Sequence, residues 1–189
     1  MSTNTNPTCP TDCVFELPEN SFDFCRSNIH TGEIEYLYLA GPDAECFTDV
    51  TSLAEWNARI SLDSLDPDAI RRFRVVGDMP VATGDVVDIS LGDKYYLEKD
   101  FVLNIELEDV SDENYDFMRY LECQFKAKAW VQTAGGDLFG GVCGLGGANG
   151  VNFGVGLQID RGQSSLHKMM WTLTWKAKFS PERDTSPLA

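Results

Sequence analysis

The sequence predicts a mainly β protein: an antiparallel β-sandwich or open barrel with one or two short flanking helices and extended arms at both ends. Apolar and polar residues alternate along several stretches, which is the period of a half-buried strand. Two other stretches place apolar residues at helical spacing behind a capping residue. Both ends are polar and contain proline, which disfavours regular structure there.

The length of 189 residues fits one domain with arms. Prolines at positions 7, 10 and 18 interrupt any helix near the start, so this part is predicted to be extended. The predicted division is an N-terminal arm over 1–30, a β domain over 31–180 with a Gly-rich hairpin over 135–156, and a C-terminal tail over 181–189. The tail is expected to be disordered or to act as a docking arm.

The first half of the domain contains three predicted strands and a helix. Ile34–Leu39 is a strand that ends in turn residues. Ser52 and Glu55 have capping-box spacing, which predicts a helix over about 53–60. Ile70–Val76 is the next strand, and Val86–Leu91 is a weaker one.

The second half has the clearest alternation. It predicts four strands, at Phe101–Leu107, Cys123–Val131, Phe153–Ile159 and Met169–Phe179. It also predicts a helix at Asp112–Leu121. Trp171 and Trp175 share the apolar side of the last strand, so we expect them in the core. Cys123 lies on the apolar side of its predicted strand and is expected to be a small core residue.

The charge limits the possible partners. Thirty acidic residues against fifteen basic ones give a net charge of −15, which disfavours specific binding to nucleic acid or to an anionic membrane. The polar start and the lack of a long apolar run predict a protein made and used in the cytosol, without a membrane segment. A negative surface is also compatible with DNA passing by without adhering.

Six cysteines are expected to be thiols in a reducing cytosol. Cys9, Cys13 and Cys25 are close enough to suggest a zinc clamp, and whether they bind metal stays open. Their C-x3-C spacing and the presence of only two histidines favour free thiols, so no metal and no cofactor are predicted.

No pattern points to catalysis. His30 and His167 lie in no recognisable nucleophile arrangement, and the Gly-rich segment has neither a phosphate-loop motif nor a following helix. The sequence therefore predicts no enzyme. The Gly-rich hairpin is interpreted as a flexible tip that orders against a neighbouring subunit. Its candidate contact residues are Gly140, Gly141, Gly146 and Gly147.

Arg71, Arg72 and Arg74 form the basic cluster of this acidic chain. Arginine forks bind carboxylates in pairs, so an acidic patch on another copy is one possible partner. Ordinary surface pairing within the chain is the equally open alternative.

The order of elements resembles the tail-tube family of tailed phages: acidic strand, capped helix, lysine-bearing strand, Gly-rich hairpin and tryptophan strand. Locally, 114–119, 138–141 and 175–179 are similar to segments of virion proteins from Bacteroidetes-infecting, crAss-like phages. The resemblance covers about 70–185. It implies a virion protein that is assembled in the host cytoplasm with other virion proteins.

The same resemblance implies hexameric rings, with Glu106 and Glu108 lining an acidic lumen through which DNA slides. The Gly-rich hairpin and the N-terminal arm would make ring-to-ring contacts. A neck protein or a capsid auxiliary or decoration protein is the first alternative. A carbohydrate-binding or adhesion module is the second, although buried tryptophans would not serve as a sugar platform.

Overall fold

The computed structural model describes residues 33–63, 66–88, 94–107, 109, 111–123, 126–158 and 168–188. The predicted N-terminal arm over 1–30 lies outside these ranges. The described elements, in chain order, are β1 (Glu33–Ala40), α1 (Leu53–Ile60), β2 (Arg71–Asp78), β3 (Thr83–Asp88), β4 (Lys94–Leu107), α2 (Asp112–Cys123), β5 (Lys126–Thr133), β6 (Asp137–Phe139), β7 (Val151–Gln158), β8 (Lys168–Ala177) and β9 (Arg183–Thr185).

Six strands form an antiparallel barrel. Their order is β1, β2, β4, β8, β7 and β5, and β5 pairs again with β1, so the ring of strands closes. This closure removes the free edges that an open sheet would have. The prediction of a mainly β fold of the barrel or sandwich type with short flanking helices is confirmed.

The barrel interior follows from the alternation in β4 and β8. Phe101 lies opposite Trp175, Leu103 opposite Leu173, and Ile105 opposite Trp171. All of these side chains are buried. Because successive side chains on a strand point to opposite faces, the polar residues between them face outward. The prediction that Trp171 and Trp175 belong to the core is confirmed.

Helix α2 covers one end of the barrel. Its Met118 and Leu121 are buried, and the ring of Phe117 lies 4.9 Å from that of Phe73. The predicted helix is confirmed, but its end is not. The helix runs on to Cys123, which is exposed, and β5 begins only at Lys126. The prediction that Cys123 is a core residue on a strand is therefore wrong.

A second apolar layer lies outside the barrel. Helix α1 and the segment before it pack on the outer face of β1 and β5. Trp56 of α1 is the centre of this layer, with ring centroids 4.5 Å from Phe47 and 5.7 Å from Trp130. Helix α1 begins where the capping box predicted, because the Ser52 hydroxyl accepts the Glu55 N–H.

The C-terminal tail folds back onto its own chain. Strand β9 pairs with β6, and the Ser186 hydroxyl donates a hydrogen bond of 2.9 Å to the buried side chain of Gln132. Leu188 packs against the outer apolar layer. Of the two expectations for the tail, disorder and a docking arm, disorder is wrong for the described residues. The tail is ordered because β6 provides a strand edge and the outer layer an apolar surface.

The Gly-rich segment is likewise part of the compact fold. It contains β6 and a 3-10 turn at Gly147–Asn149, and its Leu138 and Leu145 are buried. The Leu145 N–H donates to the Ala129 carbonyl of β5 at 2.7 Å. The expectation of a flexible hairpin tip is wrong for the described residues, because these leucines anchor the segment on the barrel.

Candidate functional site

The predicted arginine cluster divides between two places. Since Phe73 and Val75 point into the barrel, Arg72, Arg74 and Val76 share the outer face of β2 and are exposed. We call these three residues the basic row. Arg71 instead lies at the barrel end, where its guanidinium nitrogens approach the Leu62 carbonyl at 3.5 Å.

The basic row has few partners within its own chain. The Arg72 guanidinium lies 5.1 Å from the centre of the Tyr36 ring, a cation–π distance. Within the described ranges, neither Arg72 nor Arg74 forms an ion pair with a carboxylate. Burial raises the pKa of the neighbouring Tyr38 to about 12, and the positive charge of Arg72 opposes that rise. The row therefore presents two cations and a 43% exposed valine.

Three of the four glycines that were predicted to contact a neighbouring subunit pack against their own chain instead. A Cβ on Gly140 would lie 2.7 Å from the Trp130 ring, and one on Gly141, whose φ is +60°, would collide with the Glu182 carboxylate. Gly146 packs in the same way against the backbone at Gly150. Gly147 is different, because a Cβ there would meet nothing within 4 Å. Of the four predicted glycines, Gly147 is thus the one with open space around it.

The acidic strand face is partly neutralised. Glu106 points outward from β4, and its carboxylate pairs with the Lys168 amine on β8 at 2.6 Å. Asp100 pairs in the same way with Lys176 at 3.3 Å. The antiparallel register of β4 and β8 therefore places lysines beside the acids. Glu108, the other predicted lumen residue, lies outside the described residues.

A second exposed surface was not predicted from the sequence. Val142 and Phe179 are 41% and 50% exposed. They line a cavity of about 620 Å³ together with Asp49, Glu182, Asp184 and one cation, Arg183. We call this cavity the acidic cleft. Its residues come from three separate parts of the chain, so no local motif could have revealed it.

Two carboxylates of the acidic cleft repel each other. Asp49 accepts hydrogen bonds from the Thr51 hydroxyl at 2.6 Å and the Thr51 N–H at 2.9 Å, which lower the pKa of Asp49. Partial burial and, second, the negative charge of Asp49 raise the pKa of Asp184. A cation placed between them would relieve this repulsion.

A disulfide positions the apolar part of the cleft. Cys46 and Cys143 are bonded, with Cα atoms 4.4 Å apart, and the Phe47 N–H donates to the Val142 carbonyl at 2.7 Å. The expectation that all cysteines are thiols is therefore wrong for this pair. That expectation came from the inferred compartment, whereas the pairing follows from the fold.

A buried lysine accompanies the disulfide. Lys128 is 6% exposed, and its amine donates to the Ala44 carbonyl and lies 3.7 Å from the Cys46 sulfur. Lysine is rarely buried so completely without a counterion. Lys128 lies on the outer face of β5, because its neighbour Ala129 faces the barrel interior. The outer layer covers that face, so the side chain is enclosed rather than solvated.

The barrel end beside α2 holds another cavity, of about 480 Å³. Aromatic side chains of Phe117 and Tyr120 line it, together with Arg71, Lys126 and two aspartates. Its described lining contains no histidine, serine or cysteine. Mixed charges and aromatic rings of this kind are common in binding pockets.

The part of the chain that the structure describes contains neither a metal-binding cluster nor a membrane-spanning helix. No three His, Cys, Asp or Glu side chains there are grouped to hold a metal ion. The proposed clamp residues Cys9, Cys13 and Cys25 and both histidines lie outside that part. No helix in the same part is long and apolar enough to cross a membrane.

Comparisons with protein-family models, with curated protein sequences and with solved structures found no match to this chain. The family resemblance inferred from the sequence therefore remains a hypothesis.

Proposed function

We propose that the protein is a virion structural subunit of the tail-tube type, which assembles with further copies of itself into a ring. The observation that supports this most is a two-stranded arm, which consists of β3 and the first five residues of β4. Strand β4 is longer than its place in the barrel: Lys99–Leu107 pairs with β8, whereas Lys94–Glu98 pairs only with β3 among the described strands. The arm therefore extends beyond the barrel wall.

Such an arm is poorly stable by itself. An isolated two-stranded hairpin is marginal in water, and the outer edge of β3 carries backbone groups without a described strand partner. The arm sequence is rich in β-formers, with Val86, Val87, Tyr95 and Tyr96. Pairing with a strand or surface of a neighbouring copy would satisfy these groups.

The assembly geometry follows from the arm. An arm that binds a different surface on the next copy makes a head-to-tail contact, which generates a ring when the rotation closes. The resemblance to the tail-tube family suggests six copies around a channel. With a net charge of −15, the ring would let DNA pass without adhering. The lumen assignment of Glu106 and Glu108 is part of this proposal.

The adhesion alternative receives less support. All four tryptophans, at positions 56, 130, 171 and 175, are buried. None of them offers the exposed ring that a sugar platform needs. A head or neck location within the virion would use the same barrel and the same arm, so it is a variant of the proposal.

Negative-stain electron microscopy of the full-length chain tests the proposal. We expect rings or short stacks with a central hole. The variant Val86→Lys/Val87→Lys should stay monomeric with an unchanged circular dichroism spectrum, because the arm lies outside the barrel. The matched control Val81→Lys should still form rings, since Val81 is already 90% exposed. Normal rings from the arm variant would contradict a role of the arm.

A further inference from the structure

The basic row has a defined spacing and composition. Outward residues on a strand recur about every 6.6 Å, so Arg72, Arg74 and Val76 span about 13 Å along β2. The row presents two cations followed by an exposed apolar residue. In a chain with twice as many acidic as basic residues, two adjacent exposed arginines without a described carboxylate partner are unexpected.

The acidic cleft has the complementary composition. Val142 and Phe179 provide an exposed apolar surface, and Asp49, Glu182 and Asp184 provide carboxylates. An arginine fork can bind a carboxylate through two hydrogen bonds and can stack on an exposed aromatic ring such as Phe179. The volume of about 620 Å³ is large enough to receive arginine side chains. Three acids against Arg183 leave the cleft with an excess of negative charge.

The two surfaces of one molecule cannot meet each other. In the sheet, the basic row is on β2 and the cleft is beside β9, and the strand order between them is β1, β5 and β6. Four strand spacings separate them by about 19 Å, and the outer layer with α1 covers the face between them. A contact between row and cleft must therefore involve two molecules. Because the surfaces differ, the contact is head-to-tail and can close into a ring.

We propose that the basic row of one copy docks into the acidic cleft of the next copy, with the arginines on the carboxylates and Val76 against Val142 and Phe179. This contact rests on the proposed function, since it specifies which surfaces join the subunits. It gives a partner to the cations of Arg72 and Arg74, to the repelling carboxylates and to the exposed apolar side chains at once. In this proposal the acidic cleft binds the neighbouring copy, and it is the acidic partner that the sequence suggested for Arg72 and Arg74.

Charge reversal on each side tests the contact. The row variant is Arg72→Glu/Arg74→Glu, and the cleft variant is Glu182→Arg/Asp184→Arg. Each should remain monomeric at concentrations where the wild-type chain assembles, with association weakened on the order of 100-fold, because like charges would then face each other. The control Arg119→Glu/Lys126→Glu reverses two exposed cations outside both surfaces and should assemble normally.

A mixture of the two variants provides the sharper result. The native row of the cleft variant fits the native cleft of the row variant, and the acidic row of the row variant fits the basic cleft of the cleft variant. An equimolar mixture should therefore assemble by sedimentation velocity, with the two variants alternating, although neither assembles alone. A fourfold variant that carries both reversals should assemble again, since its charges are exchanged.

The outcomes separate this contact from the proposed function. If the wild-type chain forms rings and the row variant forms them equally well, the contact is overturned while the ring proposal stands. A mixture that remains monomeric also overturns the contact, provided that each variant melts like the wild type. If the wild-type chain stays monomeric under all conditions, both proposals fail.

Discussion

The barrel interior and the outer layer both bury tryptophan, but they do so in different ways. Inside the barrel, Trp175 stacks on Phe101 at 5.1 Å, and the indole N–H of Trp171 has no hydrogen-bond partner among the described residues. In the outer layer, the indole N–H groups of Trp56 and Trp130 donate to the backbone carbonyls of Val50 and Gly141 at 2.7 and 2.8 Å.

The two regions are stabilised by different kinds of interaction. The interior depends on apolar burial and on the register of paired strands, which tolerate one unsatisfied N–H. The outer layer depends on particular long-range bonds: the indole bonds, a disulfide and a buried lysine. Such a layer can open locally while the barrel remains folded, because regions with separate cores need not unfold together.

Removing one tryptophan from each region gives the largest expected effect. Trp171→Ala and Trp56→Ala should each lower the free energy of unfolding by ~3–5 kcal/mol, from lost burial and a residual cavity. Hydrogen exchange should then differ between them. Trp171→Ala should lose amide protection throughout the chain, whereas Trp56→Ala should lose it in α1 and β9 and keep it in β4 and β8. The same pattern in both variants would mean that the two regions form one cooperative unit.

Removing the disulfide comes next. Cys46 and Cys143 are 97 residues apart in sequence, so the bond closes a long loop in the unfolded chain. Cys46→Ser/Cys143→Ser should lower the free energy of unfolding by ~2–4 kcal/mol, measured by urea denaturation. Cys123→Ser is the matched control and should change nothing, because Cys123 is exposed and free. An equal loss in the control would indicate a general effect of removing thiols.

The buried lysine gives a smaller effect. Lys128→Met keeps the apolar stem but leaves the Ala44 carbonyl without its donor, which should destabilise the fold by ~1–3 kcal/mol. Lys126→Met, two residues earlier on β5 and exposed, should stay within ~0.5 kcal/mol of the wild type. A neutral result for Lys128→Met would show that burial of the amine costs as much as its hydrogen bond contributes.

The smallest effect concerns Asp184. Its raised pKa means that the folded state holds the proton more tightly than the unfolded state, so ionisation above the usual aspartate pKa costs stability. Asp184→Asn should therefore be slightly more stable than the wild type at pH 7, by ~0.5 kcal/mol or less after solvent screening. Thermal melts should show this difference vanish as the pH falls below the ordinary aspartate range. A variant that is less stable at pH 7 would contradict the assigned repulsion with Asp49.

Local patterns predicted the interior well and the surfaces poorly. Alternation in β4 and β8 identified the core side of Trp171 and Trp175, because strand period alone decides which side chains share a face. The positions of the surface residues depend on pairing between strands that are distant in sequence. The register that sets Lys168 beside Glu106, the approach of Cys46 to Cys143, and the acidic cleft all need contacts over many residues, for which the local sequence carries no period.

The arginine cluster shows both sides of this limit. The sequence identified Arg72 and Arg74 as a basic surface, and they do share an outward face. The alternation places Arg71 on the same face as the buried Phe73 and Val75. Its side chain is nevertheless partly exposed, because β2 begins there at the end of the barrel, which the sequence could not show. The geometry of the barrel end depends on α2, which is distant in sequence.

The mass of the wild-type, full-length chain in solution tests the central claim most directly. Light scattering over a wide range of concentration and salt should show a discrete oligomer, about six times the subunit mass of 21.0 kDa if the ring is hexameric, which dissociates as salt screens the charged contact. A mass of 21.0 kDa at every concentration and salt would contradict self-assembly as the function of this protein.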